Sequence, residues 1–570
     1  MKHTLTLLTA LLLCLTVSAH AAVLKRSDVV FMYQADRDTY AKYGATALAW
    51  GSKPTPQTRE AAAGLKFFGS VGMVTEFGRY YERFPQTYDQ ALCRDINGQP
   101  VKVPWLTDHQ HKGIPFWWCC TQQPQFRQYL RERVVETIRT GADGLHIDDH
   151  LGTAGGLWLG TCFCDRCVEG FRGEAYSLPA NFNFRDAVHQ WLADPANKNK
   201  PVTHHPLWAK WSAYHYRLAA AFMRELHELA SQTAGRYVPM GANAGLLWPG
   251  HLNDYQTLDL FSAEIPHYAS GTGVPPVHPS VSDYPLIAYR LADAVGRPLA
   301  ATASGGDWAY VQERQCHGLV QHWIALGYAA GHQLMAPNRQ WCHTKEKGTH
   351  WYAGPADKFA PLYQFVRQNA DLFDNHEAFT DIGVVLPYRS FVKDQKRWFA
   401  LFNQLAATNL SYRIHLAGDD IVDHPLAVAN LDASPVLLIP ETNDLLPADL
   451  ALLEKYRSTK TVFTKPQDVI AAIRPAAQAT ANGRVRALPR VKPGAAVVHL
   501  LNYEYNRDRD SAEPLRNVTV HLKLAALGVP KAASCRLVTP DAGPIHLRIE
   551  SDTVTVPTLG LWGLLVLENQ

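Results

Sequence analysis

Three cysteines crowd into six residues at Cys162, Cys164 and Cys167, in the run Thr161-Cys-Phe-Cys-Asp-Arg-Cys-Val-Glu-Gly-Phe-Arg172. If two of them pair as a disulfide the third is left over, whereas all three can converge on one soft cation. Four-coordinate zinc asks for one more ligand, and the run Phe116-Trp-Trp-Cys-Cys-Thr121 offers Cys119 or Cys120. Four protein thiolates close the coordination shell, so such an ion is structural and not an activator of water. One disulfide plus free thiols is the alternative that an exported chain permits.

A short apolar run ending in two acids, Gly144-Leu-His-Ile-Asp-Asp149, stands just before these thiols. Side chains alternate faces along a strand. Leu145 and Ile147 therefore share one face, and His146, Asp148 and His150 the other. The run 258–267 repeats the pattern, with Phe261, Ala263 and Ile265 on one face and Glu264 on the other. Two carboxyl groups at strand ends suit glycosidic-bond hydrolysis, which needs them about 5–5.5 Å apart for retention and about 6.5–9.5 Å for inversion. Asp148 and Glu264 are the expected catalytic pair, with Asp149 in reserve. Tyr33, His146, His150, Asn243, His267, Asp307 and Trp308 also fall at strand ends and are the expected substrate-binding residues. No Gly-x-Ser-x-Gly elbow or His-Glu-x-x-His is present, which argues against serine or zinc hydrolase chemistry. Two other readings stay open: a barrel that only binds carbohydrate, and a polysaccharide lyase or esterase on the same scaffold.

The elements that must position these residues alternate. Short apolar runs at 29–35, 46–51, 67–75, 144–149, 238–245, 260–267, 299–304 and 332–337 are separated by amphipathic stretches such as 125–140 and 208–233. Eight strands alternating with helices predict an α/β fold of the (β/α)8 TIM barrel type over 22–375, with its chemistry at the C-terminal strand ends. The long insertion between the fourth and fifth strands is expected to cover part of that face. From 376 to 480 the pattern predicts a small flavodoxin-like α/β domain, doubly wound in style but without Gly-x-Gly-x-x-Gly. From 481 to 570 short strands predict a β-sandwich.

The first 21 residues read as a signal peptide. Lys2 and His3 precede an apolar run too short to span a bilayer, and Ala19-His20-Ala21 is a small-x-small cleavage site. A secreted or periplasmic protein is the expectation, with no membrane insertion. The 55 basic and 52 acidic residues nearly cancel and form no basic block, so nucleic acid is a poor partner and a carbohydrate substrate is the expected one. A homo-oligomer is left open. The 15 Trp and 24 Tyr are compatible with sugar platforms, although composition alone favours simple burial.

The sequence Cys120-Thr-Gln-Gln-Pro-Gln-Phe-Arg127, followed by Asp148-Asp-His-Leu-Gly152 and the Cys162–Cys164–Cys167 run, resembles glycoside hydrolase family 42. That resemblance implies a β-galactosidase-type barrel whose zinc site would be Cys120, Cys162, Cys164 and Cys167. It also implies the same three-part layout. The chain departs from the family where the family's two catalytic glutamates should stand: Asp149-His150 replaces Asn-Glu on the fourth strand, and Ala303 or Ser304 replaces the nucleophile on the seventh. The β-galactosidase activity is therefore not implied. The Asp148–Glu264 pair is instead similar to the arrangement in barrel α-glycosidases, where a strand-four Asp is the nucleophile and a strand-six acid protonates the leaving group.

Overall fold

A computed structural model of the chain describes residues 23–173, 178–268 and 281–569. The expected leader and its cleavage site near Ala21 lie outside the described residues.

Eight parallel strands form the sheet that positions the site: β1 (Val30–Phe31), β2 (Ala47–Gly51), β3 (Lys66–Gly72), β4 (Gly144–Asp148), β5 (Met240–Ala242), β6 (Leu260–Ile265), β7 (Leu299–Ala303) and β8 (Gln333–Leu334). They pair in chain order. A parallel bridge from Phe31 to Ala336, with Ala336 N–H donating to Val30 C=O at 2.7 Å, brings the last strand back to the first. The observed strands are mostly shorter than the apolar runs that betray them, because those runs continue into the loops that turn toward the helices.

Period-two alternation divides the barrel into two apolar layers. Phe31, Leu48, Phe67, Leu145, Ile147, Phe261 and Leu299 belong to the large core outside the strands, against helices such as Pro124–Arg139 and Trp208–Ala234. Val30, Ala47, Ala49, Phe68, Leu260 and Ala300 fill the barrel interior. Next up the axis, His146 and Ser262 meet at 2.7 Å, both fully buried. Two residues further along the same strands, still facing inward, come Asp148 and Glu264.

Beyond the barrel, β9 (Ile382–Pro387), β10 (Tyr412–Ala417), β11 (Val436–Leu438) and β12 (Thr461–Phe463) form a parallel sheet in the order β10-β9-β11-β12. A six-stranded sheet and the three-stranded sheet of Ala477–Thr480, Leu515–Leu522 and Thr553–Leu559 are antiparallel and share one apolar core that includes Val498, Leu500, Val520 and Val556. The six-stranded sheet takes in Glu377–Ala378, so the chain touches it immediately on leaving the barrel. Among the described residues no helix is long and apolar enough to cross a membrane.

Candidate active site

A cleft of about 610 Å³ opens at the C-terminal end of the barrel, where Asp149, His150, Asn243 and Glu264 meet. β5 lies between β4 and β6, and Asn243, the first residue past it, spans its neighbours. Its side-chain Nδ2 donates to Asp148 Oδ1 at 3.2 Å, and its side-chain Oδ1 accepts from the Glu264 backbone N–H at 3.1 Å. Burial pushes Asp148 up to about 6, the Asn243 and Asp149 hydrogen bonds holding it from going higher. Burial also raises Glu264, and the neighbouring Asp148 charge takes it further, to about 8. Two carboxyls close together in a partly buried site cannot both ionise cheaply.

Asp149 leaves the strand with φ of 53°, in the left-handed region that costs a non-glycine residue about 1–3 kcal/mol. That turn aims its carboxyl into the cleft, where Oδ2 is buried without a hydrogen-bond partner. Burial, then the charges of Asp148 and Glu264, raise its pKa well above the carboxylate range. His150 is braced from behind: Nδ1 is 3.2 Å from the Asn243 carbonyl and Nε2 is 3.6 Å from the fully buried Asp254. His251 packs edge-on to His150 at 5.2 Å and accepts from Gly245 N–H at 2.7 Å.

The other candidate residues divide. Tyr33 is not part of the cleft lining, but burial and then the charges of Glu264 and Asp148 push its phenol well up from the usual tyrosine value. His146 is fully buried two residues below Asp148 on β4, its ring tilted against Trp50 at 4.4 Å. His267, Asp307 and Trp308 lie apart from the cleft. Asp307 completes the capping box of helix Gly305–Arg314 with Ser304 and accepts from the His267 backbone N–H at 2.8 Å. The Trp308 indole donates to Thr302 at 2.9 Å and is 1% exposed. A strand-end position brings a residue near the barrel mouth without saying whether its side chain faces it.

The cleft also holds aromatics that strand-end reasoning missed. Trp158, on the 3-10 segment Gly152–Leu159, is 63% exposed, and Trp248, beyond β5, is 52% exposed. Large side chains left in water beside buried acids are the signal, and exposure is a property of the fold. Tyr388, at the end of β9, fixes the Trp248 loop: its hydroxyl accepts from Gly250 N–H at 3.1 Å and donates to Trp248 C=O at 3.4 Å.

Behind the cleft, Cys120, Cys162, Cys164 and Cys167 are buried with their sulfurs within 4.8 Å of one another. Cys120 stands 3.6 Å from Cys167 and 3.8 Å from Cys164, close to the ~3.8 Å that four sulfurs adopt around one ion with ~2.3 Å bonds. The donor set fits a structural metal. Cys119 belongs to the barrel core instead, and Cys93 is a fifth thiol against Cys120 and Cys162.

No family model matches the chain. It is 21% identical to an α-agarase of Thalassotalea agarivorans over 97% of its own length and 40% of that protein. It is 20% identical to an α-agarase of Alteromonas agarilytica, over 95% and 41%. The chain thus spans about two fifths of the length of these relatives. Among solved structures it is similar to α-L-fucosidase isoenzyme 2 of Paenibacillus thiaminolyticus (TM-score 0.61, 12% identical, 96% of this chain and 100% of that one). It is also similar to a β-galactosidase of Bacillus circulans sp. alkalophilus (0.58, 11%, 95% and 99%). A glycoside hydrolase family 42 β-galactosidase of G. stearothermophilus gives 0.59 at 9% identity, over 95% and 98%. At these identities the likeness is one of fold.

Proposed function

We propose that the protein is an exported glycoside hydrolase of agar-type galactans, with Asp148 as nucleophile and Glu264 as general acid/base. The observation that carries this reading is a pair of inward carboxyls on either side of β5, both joined to Asn243, whose environments separate their acidity, Asp148 at about 6 and Glu264 at about 8. Separation of this kind divides acid and base roles between like groups. The α-agarase relatives supply the substrate class, and the fold of the solved neighbours is compatible with it.

In this reading Asp148, ionised, attacks the anomeric carbon as Glu264 gives its proton to the departing oxygen. Glu264, now ionised, then takes a proton from the water that releases the sugar from Asp148. Asn243 braces the pair, donating to the Asp148 carboxylate and accepting from the Glu264 backbone N–H, and Asp149, kept protonated, donates to a sugar hydroxyl. The four cysteines would hold a zinc ion that ties the β4 loop together and takes no part in the chemistry. The β10-β9-β11-β12 order supports a flavodoxin-like second domain over 376–480, with the barrel before it and a sandwich over 481–570.

Reducing-end release from soluble agarose by purified protein tests the assignment. Glu264→Gln and Asp148→Asn should each cut turnover by ~10²-fold or more. Near-normal turnover in either variant removes that residue from the mechanism. Retardation in an agarose gel without hydrolysis would favour the carbohydrate-binding reading.

A further inference from the structure

A second group of aromatic side chains lies at the barrel mouth, on a side the cleft lining does not reach. After β8 the chain forms an antiparallel hairpin, Arg339–Thr344 against Gly348–Ala353, in which Trp341 is directly opposite Trp351. Directly paired residues share a face. Gln340, Cys342 and Tyr352, on the other face, are buried, which leaves the tryptophan face outward. Trp341 packs over Gly305, where even a Cβ would come within 2.6 Å of its ring. Trp351 remains 41% exposed. The Arg339 guanidinium lies 4.0 Å from the Trp351 ring centre, and Tyr33 meets the ring edge-on at 5.3 Å, so the exposed indole is held upright.

This group is continuous with the acids. Tyr33, whose phenol feels the charges of both Glu264 and Asp148, also packs at a tilt on Trp50 at 6.2 Å, and Trp50 packs at a tilt on His146, below Asp148 on β4, at 4.4 Å. A row of rings therefore climbs from His146 past the carboxyls to Trp351 at the rim. Its position relative to the first aromatic group follows from strand order. In a closed eight-stranded barrel, strands four places apart lie across the axis. Trp158 follows β4 and Trp248 follows β5; Trp351 follows β8 and Tyr33 follows β1. The two groups are thus opposite walls of one mouth, with Asp148 and Glu264 between them.

We infer that Tyr33 and Trp351 form a second sugar-binding wall, so that a single polysaccharide chain lies across the barrel mouth between two aromatic platforms. This rests on the hydrolase reading for the role of the carboxyls, but not for the binding. Sugar rings present flat C–H faces that pack on an indole while their hydroxyls stay in water. A short oligosaccharide reaches one wall, whereas a long one reaches both.

The test is Trp351→Ala in the full chain, assayed on neutral agarose oligosaccharides of graded length beside wild type. The residue is exposed and its backbone pairing is retained, and an unchanged melting temperature checks the fold. Loss of one aromatic anchor corresponds to about 10-fold in affinity, so kcat/KM should fall about 10-fold more on the longest chains than on the shortest. An equal loss at every length, or none, overturns the proposal. If wild type hydrolyses none of the series, the hydrolase reading fails by itself, and the wall is judged by retardation in native agarose gels. Weaker retardation of Trp351→Ala then upholds it, and equal retardation overturns it.

Discussion

The three acids at the mouth, Asp148, Asp149 and Glu264, have very different proton affinities. Burial is the first cause for each; what separates them is the company each keeps. Asp148 accepts hydrogen bonds from Asn243 and from its neighbour's backbone, whereas Glu264 and Asp149 face the Asp148 charge. If Asp148 works ionised and Glu264 protonated, kcat/KM falls below about 6 as Asp148 gains a proton and above about 8 as Glu264 loses one. Asn243→Ala removes a bond that favours the charged form of Asp148, so the acid limb should move to higher pH in a rate profile; an unmoved limb would detach Asn243 from Asp148. The same burial has a cost in stability. Glu264 is ordinary in the unfolded chain and raised to about 8 in the folded one. Between those values the folded state binds more protons, so its stability falls as pH rises through that window. Glu264→Gln should therefore melt higher than wild type at pH 8 and alike at pH 4, by calorimetry at both. The inward placement of Asp148 and Glu264 was legible in the alternation of Leu145 and Ile147 with His146. Their separated acidities were not, because they depend on Asn243 and on burial, which no spacing in the chain encodes.

At the scale of elements, the four-cysteine group joins the segment entering helix Pro124–Arg139 to the start of helix Asp165–Arg172, and the Gly152–Leu159 segment that carries Trp158 runs between them. A metal here acts on the platform and leaves the carboxyls alone. Purified protein should contain about one zinc per chain by elemental analysis. Stripping it with a strong chelator, or making Cys164→Ser, should lower the melting temperature and raise KM for the polysaccharide more than it lowers kcat. Absence of metal together with Cys164 in a disulfide would end the zinc reading. The Cys162–Cys167 run was readable because ligand spacing is local. Asp307 and Trp308 show the opposite case: they sit at a strand end as expected, but the capping requirement of helix Gly305–Arg314 claims the acid, and Thr302 claims the indole. Trp158, Trp248 and Trp351 escaped notice because their value lies in staying exposed, and a tryptophan's exposure follows from which loops fail to cover it.

At the scale of the whole molecule, the two units after the barrel are built into its walls. Tyr388 and Gln395 hold the backbone of the Trp248 loop, so the parallel sheet helps to place a cleft residue. On the other side, Asp283 at the start of helix Tyr284–Ala294 pairs with Arg486 at 2.9 Å and accepts from the Tyr503 hydroxyl at 2.8 Å, both from the antiparallel region. Arg490, 2% exposed, donates to the carbonyls of Ala330 and His376 and closes the same seam. Removing one partner of a buried pair costs about 3–5 kcal/mol because the other charge is left behind, whereas removing both is far milder. Arg486→Met should therefore lower the melting temperature sharply, with Asp283 held by Tyr503 alone. Adding Asp283→Asn should restore much of that loss, a coupling that a double-mutant cycle measures directly. Because neither Asp283 nor Arg486 is among the causes that shift Asp148 and Glu264, both limbs of the pH–rate profile should stay in place in whatever fraction remains folded. A displaced limb would mean that the antiparallel region reaches the chemistry, and that the barrel cannot be treated as a self-sufficient catalytic unit.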